Sequence, residues 1–377
     1  MREGWEYKKL GEVCTIKAGY TPQKKELSDN GAYPYYKVAD MNTLGNDVYL
    51  DITSSYKIDA NKLFPKGAIV FPKNGAAVST NKKRILKYDS IVDLNTGVAI
   101  FPKSINEKFA YYWFIDTDFK KYVRGGALPT LDIKSLKDKT FPSIDKSIQL
   151  AIVSELDKIN ELIRLKKEQL KDFDNLAQSI FYEMFGDPVE NEKGWEVETV
   201  QNSCTLKSGD SKANNSKVGT LPYIKVGDMN LPENENYINI STNYVDKETN
   251  MKRIFPIGTI IFPKRGGAIL TNKKRLTNVE ICCDLNIMGV TPGNMLNKYY
   301  LFQYFKILDL STICSGSTVL QLNNCDINPL RIPLPPLSLQ HLFAQRIEQI
   351  EHQKAEVQKA IADLETLLAS RMQYWFE

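Results

Sequence analysis

A domain-sized segment of this chain occurs twice, and that duplication limits the possible architectures more than any other feature. Gly4-Trp5-Glu6 returns as Gly194-Trp195-Glu196, and the run CTIKAG from Cys14 returns as CTLKSG from Cys204. Tyr35 to Asn42 is echoed by Tyr223 to Asn230. Residues 64–84 and 255–275 share the skeleton FPxGxIxFPKxGxAxxTNKKR at a constant offset. A period this long excludes a solenoid, whose units run about 20–50 residues. It indicates a tandem pair of domains, which suits a length of 377 residues. The duplicated globular parts, 1–148 and 191–339, hold short apolar runs such as Ala68-Ile69-Val70-Phe71 and Thr259-Ile260-Ile261-Phe262, punctuated by Pro, Gly, Asn and Asp. These runs predict mixed α/β domains rich in strands and loops.

After each globular part comes a long periodic stretch, 149–190 and 340–377, each predicted to be a spacer helix. In the first, Ile152, Leu156, Ile159, Ile163, Lys166, Leu170, Phe173, Ala177, Ile180 and Met184 step by three and four. In the second, the same pattern runs through Phe343, Ile347, Ile350, Lys354, Val357, Ile361, Leu364, Leu368, Arg371 and Trp375. No proline or glycine interrupts either series, so both predict a heptad seam. The competing reading is an amphipathic helix lying on a globular core. A helix from Gln149 to Phe185 is about 55 Å long at about 1.5 Å per residue. Mutual burial of the two stripes requires antiparallel pairing, because the first helix leaves domain one and the second leaves domain two. The expected molecule is α/β (mixed), with two tandemly duplicated domains separated by a long antiparallel two-helix coiled coil.

Charge distribution adds a functional hint. The chain carries a net +4, yet residues 149–186 and 340–377 are each net acidic. The excess positive charge therefore sits on the globular parts, the footprint of a nucleic-acid partner. Candidate contacts are Tyr36, Lys37, Lys73, Asn74, Lys82, Lys83 and Arg84 in the first part. Their counterparts in the second are Lys225, Lys264, Arg265, Lys273, Lys274 and Arg275. Lys and Arg neutralise phosphates, Asn and Arg suit base edges, and the intervening small residues permit close approach. Tyrosines interleave at 35, 36, 88, 223 and 244. A KKR triplet is also compatible with a solvated turn. Further glycine loops, Gly125-Gly126-Ala127-Leu128 and Ser315-Gly316-Ser317-Thr318, are weaker candidates.

Catalytic constellations are missing from the sequence. Its two histidines, His341 and His352, stand eleven apart in the C-terminal helix and suit neither a zinc pair nor a Ser-His-Asp triad. There is no GxxxxGK[ST] phosphate loop and no GxGxxG cofactor fingerprint. Asp93 and Asp284, in matching DLN contexts, read as turn residues. The six cysteines form no CxxC pair, which suggests small buried hydrophobes in a reducing cytosol. With no apolar leader and no membrane-length apolar run, the expectation is a soluble, intracellular protein.

Taken with the paired GWE openings, the CTIKAG and CTLKSG segments, the FPKxGxA blocks and the Pro-rich leads into Gln149 and Gln340, the sequence resembles the specificity (S) subunit of type I restriction–modification systems. The first lead, Phe141-Pro142-Ser143-Ile144-Asp145, lacks the Pro-Pro of 335–336. The resemblance covers essentially the whole chain. It implies that each recognition domain reads one half of a bipartite double-stranded DNA target, and that the helices set the gap and dock two modification (methyltransferase) subunits. Restriction (motor-nuclease) subunits would complete the complex. S-adenosylmethionine, ATP and Mg would belong to those partners, with no cofactor on this chain, and the Asn-Pro-Pro-aromatic methyltransferase motif is absent here. Because the two halves are so alike, their half-targets are expected to be related. Two other readings stay open: the specificity chain of a fused, type II-like restriction–methylation enzyme, and a coiled-coil scaffold that binds no DNA.

Overall fold

The computed structural model describes the chain except residues 1, 3, 54, 58–61, 126–127, 212–218, 317–318 and 377. The chain divides into two compact units, one of residues 1–167 with 359–377 and one of residues 168–358. Each unit therefore contains one globular part and portions of both long helices.

In the first unit a five-stranded sheet runs in the order Thr15–Ala18, Thr96–Ile100, Ile69–Pro72, Arg84–Leu86, Tyr49–Leu50. The central strand Ile69–Pro72 is buried throughout, as its unbroken apolar sequence requires. Helix α1 (Glu107–Asp116) covers this sheet. It begins at Asn106, whose Oδ1 accepts from the backbone N–H groups of Lys108 (3.0 Å) and Phe109 (3.1 Å). Phe109, Trp113 and Phe114 then join Ile69, Phe71 and Ile85 in one core, with Phe71 and Phe114 stacked at 5.5 Å. The second unit repeats this plan. Its sheet order is Cys204–Ser208, Ile287–Pro292, Ile260–Pro263, Arg275–Thr277, Tyr237–Ile238, covered by helix α3 (Lys298–Ile307).

A two-stranded antiparallel ladder closes each globular part, Glu6–Lys9 with Thr140–Ser143 and Val197–Thr199 with Arg331–Pro333. It joins the first strand of the part to its last, so the following helix leaves beside the point where the part began.

The two long helices are α2 (Lys146–Phe185) and α4 (Leu337–Phe376), each of 40 residues. Both start three residues earlier than the sequence reading placed them. Gln149 is not an N-cap but a buried clamp. Its Oε1 accepts from the Asn106 N–H at 2.7 Å, and its Nε2 donates to the carbonyls of Ile144 (2.8 Å) and Ser104 (3.3 Å). Gln340 does the same with Asn297, Pro335 and Met295. At the far end α2 stops at Gly186, whose φ of +75° is the left-handed value that favours glycine. The Trp195 indole N–H donates to the Phe185 carbonyl at 2.9 Å, satisfying one of the carbonyls that a helix end leaves without an intrahelical partner.

Within each unit the two helices run antiparallel. In the first, Glu155 accepts from the Arg371 guanidinium (Nη2, 3.1 Å) and the Trp375 indole (3.1 Å), while Lys167 meets Glu365 at 2.8 Å. In the second, Asp174 meets Lys354 at 2.9 Å, and Phe181 and Phe185 pack on Phe343 at 5.6 and 5.4 Å. The seam is buried at Ile152, Leu156, Ile159, Ile163, Phe343, Ile347, Ile350, Val357 and Ile361, and half-buried at Leu170, Phe173, Leu364 and Leu368. Lys354, a break in the apolar stripe, is only 6% exposed and is held by Asp174 and Glu351. One correction concerns the end of α2, where Ile180 and Met184 are only half-buried and Phe181 and Phe185 take the core. A straight helix drifts about 20° per heptad against a 3.5-residue repeat, so the buried face moves by one position over the length of α2.

Candidate nucleic-acid interface

At one end of each central sheet, three loops are drawn together by backbone hydrogen bonds. In the first unit the Lys73 N–H donates to the Asn95 carbonyl at 2.8 Å, the Gly75 N–H to Pro129 at 2.7 Å, and the Leu131 N–H to Lys73 at 2.9 Å. Asn74 forms a bridge to Thr130. In the second unit Lys264 N–H donates to Asn286 (2.7 Å), Gly266 to Leu320 (2.8 Å) and Leu322 to Lys264 (2.9 Å), with Arg265 bridged to Gln321. The sequence singled out the Lys73 and Gly125 loops separately, and tertiary folding makes them neighbours. Gly126, Ala127, Ser317 and Thr318, named with those loops, lie outside the described residues. In the first unit Lys37, Asn74, Asp93, Asn95 and Leu128 line a shallow depression of about 450 Å³.

Asp93 and Asp284 shape this frame. Their Oδ1 atoms accept from the N–H groups of Asn95 and Asn286, both at 2.9 Å, fixing the turn that carries each asparagine. The turns carrying Lys37 and Lys225 are built alike. Asp40 accepts from the Lys37 N–H at 2.6 Å and Asp228 from the Lys225 N–H at 2.8 Å, leaving both lysine side chains exposed. Behind each turn sits a fully buried asparagine, Asn46 or Asn234, that bonds to the backbone on both sides of its loop.

Several of the candidate residues have a different job. Lys83 is 0% exposed and Lys274 only 4%. The Lys83 ammonium donates to Asn81 Oδ1 (2.6 Å) and to the Thr117 carbonyl at the end of α1 (2.8 Å), and it lies 4.1 Å from the Phe119 ring. Lys274 repeats this with Asn272 and the Leu308 carbonyl after α3. Asn81 and Asn272 adopt left-handed φ values of 55° and 49°, which aims each amide at its lysine. The TNKKR motif is thus a lock between sheet and helix, with a cation at the negative end of the helix.

Arg84 and Arg275 are likewise turned inward. Arg84 donates to the carbonyls of Met41, Asn46 and Lys83, and Arg275 to those of Met229 and Lys274. Lys82 and Lys273, both half-exposed, donate to the side-chain oxygens of Asn42 and Asn230. Tyr36, at 1% exposure, donates its hydroxyl to the Leu50 carbonyl, and Tyr35 and Tyr223 are also buried. Tyr36, Lys83, Arg84, Lys274 and Arg275 were predicted to touch DNA, and their polar groups are instead engaged within the fold. A sequence sees the charge of KKR but not the helix terminus that receives it. Of the candidates, Lys37, Lys73, Asn74, Lys225, Lys264 and Arg265 stand at the converging loops.

Burial pushes the Lys83 ammonium down to about 7 and Lys274 to about 8, against an ordinary lysine value of 10.5. Between about pH 7 and 10.5 the unfolded chain holds more of the Lys83 proton than the folded one. The cost of burying a charged Lys83 is therefore full below about pH 7 and shrinks as pH rises across that window. Denaturation of wild type and Lys83→Met at pH 7, 8 and 9 should show the difference moving steadily in favour of the wild type. A difference independent of pH would refute the depressed titration.

No His, Cys, Asp or Glu cluster among the described residues is arranged to hold a metal. Cys14, Cys282 and Cys283 are buried, Cys204 and Cys314 half-buried and Cys325 exposed, with no disulfide among them. Among the described residues no helix is long and apolar enough to cross a membrane.

Residues 2–172 and 192–366 match the family described as type I restriction modification DNA specificity domain, once for each globular part. The chain belongs to this family. It is a specificity subunit of a type I restriction–modification system, a non-catalytic component that is not itself a cofactor-binding enzyme. It is 23% identical over 407 residues to the type I restriction enzyme MjaIX specificity subunit of Methanocaldococcus jannaschii, covering 96% of this chain and 90% of that one. Two solved structures share the fold of this specificity subunit. The type I S subunit from M. genitalium is 14% identical, covered over 100% of this chain and 98% of its own, with a TM-score of 0.54. A chain from a structure of complex assembly and conformational transition in a type I system is 17% identical, with the same coverage and a TM-score of 0.64.

Proposed function

We propose that each globular part, 1–148 and 191–339, reads one half of a bipartite duplex target through its converging loops. In this reading the helices that follow, 149–190 and 340–377 as first delimited, set the gap between the half-targets. They also dock two modification subunits, with motor-nuclease subunits joining for restriction in the cytoplasm. S-adenosylmethionine, ATP and Mg belong to those partners. The observation that carries this reading is the repetition of one loop frame, with a basic residue at Lys37 and Lys73 in one unit and at Lys225 and Lys264 in the other.

Lys37 and Lys73 are assigned to phosphates. Removing one such phosphate-binding cation lowers the slope of log affinity against log salt by about 0.9. The Lys37→Ala/Lys73→Ala variant, assembled in its complex, should bind every duplex more weakly and show a salt slope smaller by about two. A slope equal to that of the wild type removes these residues from the interface.

A further inference from the structure

The converging loops are held by the same backbone hydrogen bonds in both units, and among the positions where they differ, two face each other. The residue after the shared lysine is Asn74 in the first unit and Arg265 in the second, and the residue bridged to it is Thr130 or Gln321. Gly75 and Gly266 follow at φ values of +78° and +72°, a left-handed turn that glycine adopts freely. This turn ends the extended segment immediately after the variable residue, at the mouth of the loop cluster.

The neighbouring groups are already engaged. Lys264 donates to Ser208 Oγ at 2.9 Å, and Asn286 Nδ2 donates to Asp284 Oδ2 at 3.0 Å. Arg265 is exposed, and its guanidinium has no hydrogen-bond partner among the described residues. In the first unit Asn74 has a single long side-chain hydrogen bond, from its Nδ2 to Asn95 Oδ1 at 3.4 Å. Each unit thus presents one planar, multidentate polar group on a frame whose other members hold the loops or the phosphates.

We infer that Arg265 and Asn74 are equivalent specificity-determining residues, with Arg265 selecting a guanine in one half-target and Asn74 an adenine at the corresponding place in the other. The guanidinium fork matches the O6 and N7 acceptors of guanine in the major groove. The carboxamide pairs one donor and one acceptor with N6 and N7 of adenine. The half-targets are then related, as the shared frame requires, yet differ at this base. The assignment rests on the reading of these loops as the DNA interface and adds which residue chooses which base.

The test uses the full chain in its assembled restriction–modification complex, with Arg265→Asn, Arg265→Lys and Asn74→Arg. Modified positions are mapped by sequencing, and binding is measured on duplexes carrying each base at each target position. Arg265→Asn should lose about 5- to 150-fold on the guanine duplex and accept adenine there, leaving the other half-target untouched. Asn74→Arg should make the reciprocal change in the opposite half. Arg265→Lys should keep the salt slope of the wild type while losing the guanine preference. If Arg265→Asn weakens all duplexes alike and Arg265→Lys restores them, the side chain grips phosphate and the inference fails. It also fails if the guanine preference survives Arg265→Asn. A wild-type complex with no sequence preference at either half-target would instead overturn the DNA-reading proposal itself.

Discussion

Replacing Asn234 by alanine should cost the second unit about 2–4 kcal/mol, because four backbone groups would lose their hydrogen bonds to this buried side chain at once. The side chain is 0% exposed. Its Nδ2 donates to the carbonyls of Asp228 (3.0 Å) and Ile240 (2.9 Å), and its Oδ1 accepts from the N–H groups of Asn239 (2.9 Å) and Ile240 (3.3 Å). The Asp228 carboxylate, which accepts from the Lys225 N–H (2.8 Å) and the Thr242 N–H (2.9 Å), helps to hold the two sides of this loop together. Asn46 makes the same set of bonds in the first unit, to Asp40, Ile52 and Asp51. The two alanine variants should therefore each lower the unfolding transition of one unit, as read by denaturant titration of the full chain. Asn234→Asp is expected to be no rescue, since it turns a donor into an oxygen facing two carbonyls. A loss under about 1 kcal/mol for the alanine variant would show that solvent replaces the amide, and that the network is not what holds the loop.

Inserting one heptad after Lys167 and one after Gln358 should lengthen the gap between the modified half-targets by about three base pairs, from about 10.5 Å of added rise. Seven residues preserve the seam, and insertion in both helices preserves the opposition of their faces. Three added base pairs also rotate the duplex by roughly a third of its turn of about 10.5 base pairs, whereas the helix pair rotates far less. The single-heptad variant should accordingly modify its lengthened sites slowly. A three-heptad variant, adding about 31 Å against a turn of about 34–36 Å, should recover. Sequencing the modified adenines reads both outcomes. An unchanged gap in the lengthened chains would mean that the helices do not measure it.

The candidate interface shows where sequence reading stops. Lys37 and Lys83 look alike in the sequence, as basic residues in repeated motifs. They separate only because Asp40 folds the first into an exposed turn, while the end of α1 captures the second. Asn46 and Asn234, which hold the loops, lie in stretches where the repeat is weakly marked, so pattern matching passed over them. Ile180 was chosen by heptad counting where Phe181 is buried, since a fixed repeat cannot follow the drift of a straight helix.

By itself the sequence determined the duplication, the two long amphipathic helices and the basic globular parts, all of which are written in local order and composition. The tertiary structure alone decided which charges meet solvent and which loops become neighbours. Those outcomes depend on what lies across the fold from each side chain: a helix terminus for Lys83, a buried carbonyl for Tyr36, open space for Arg265. Residues far apart in the chain supply those surroundings, so no window of sequence contains them.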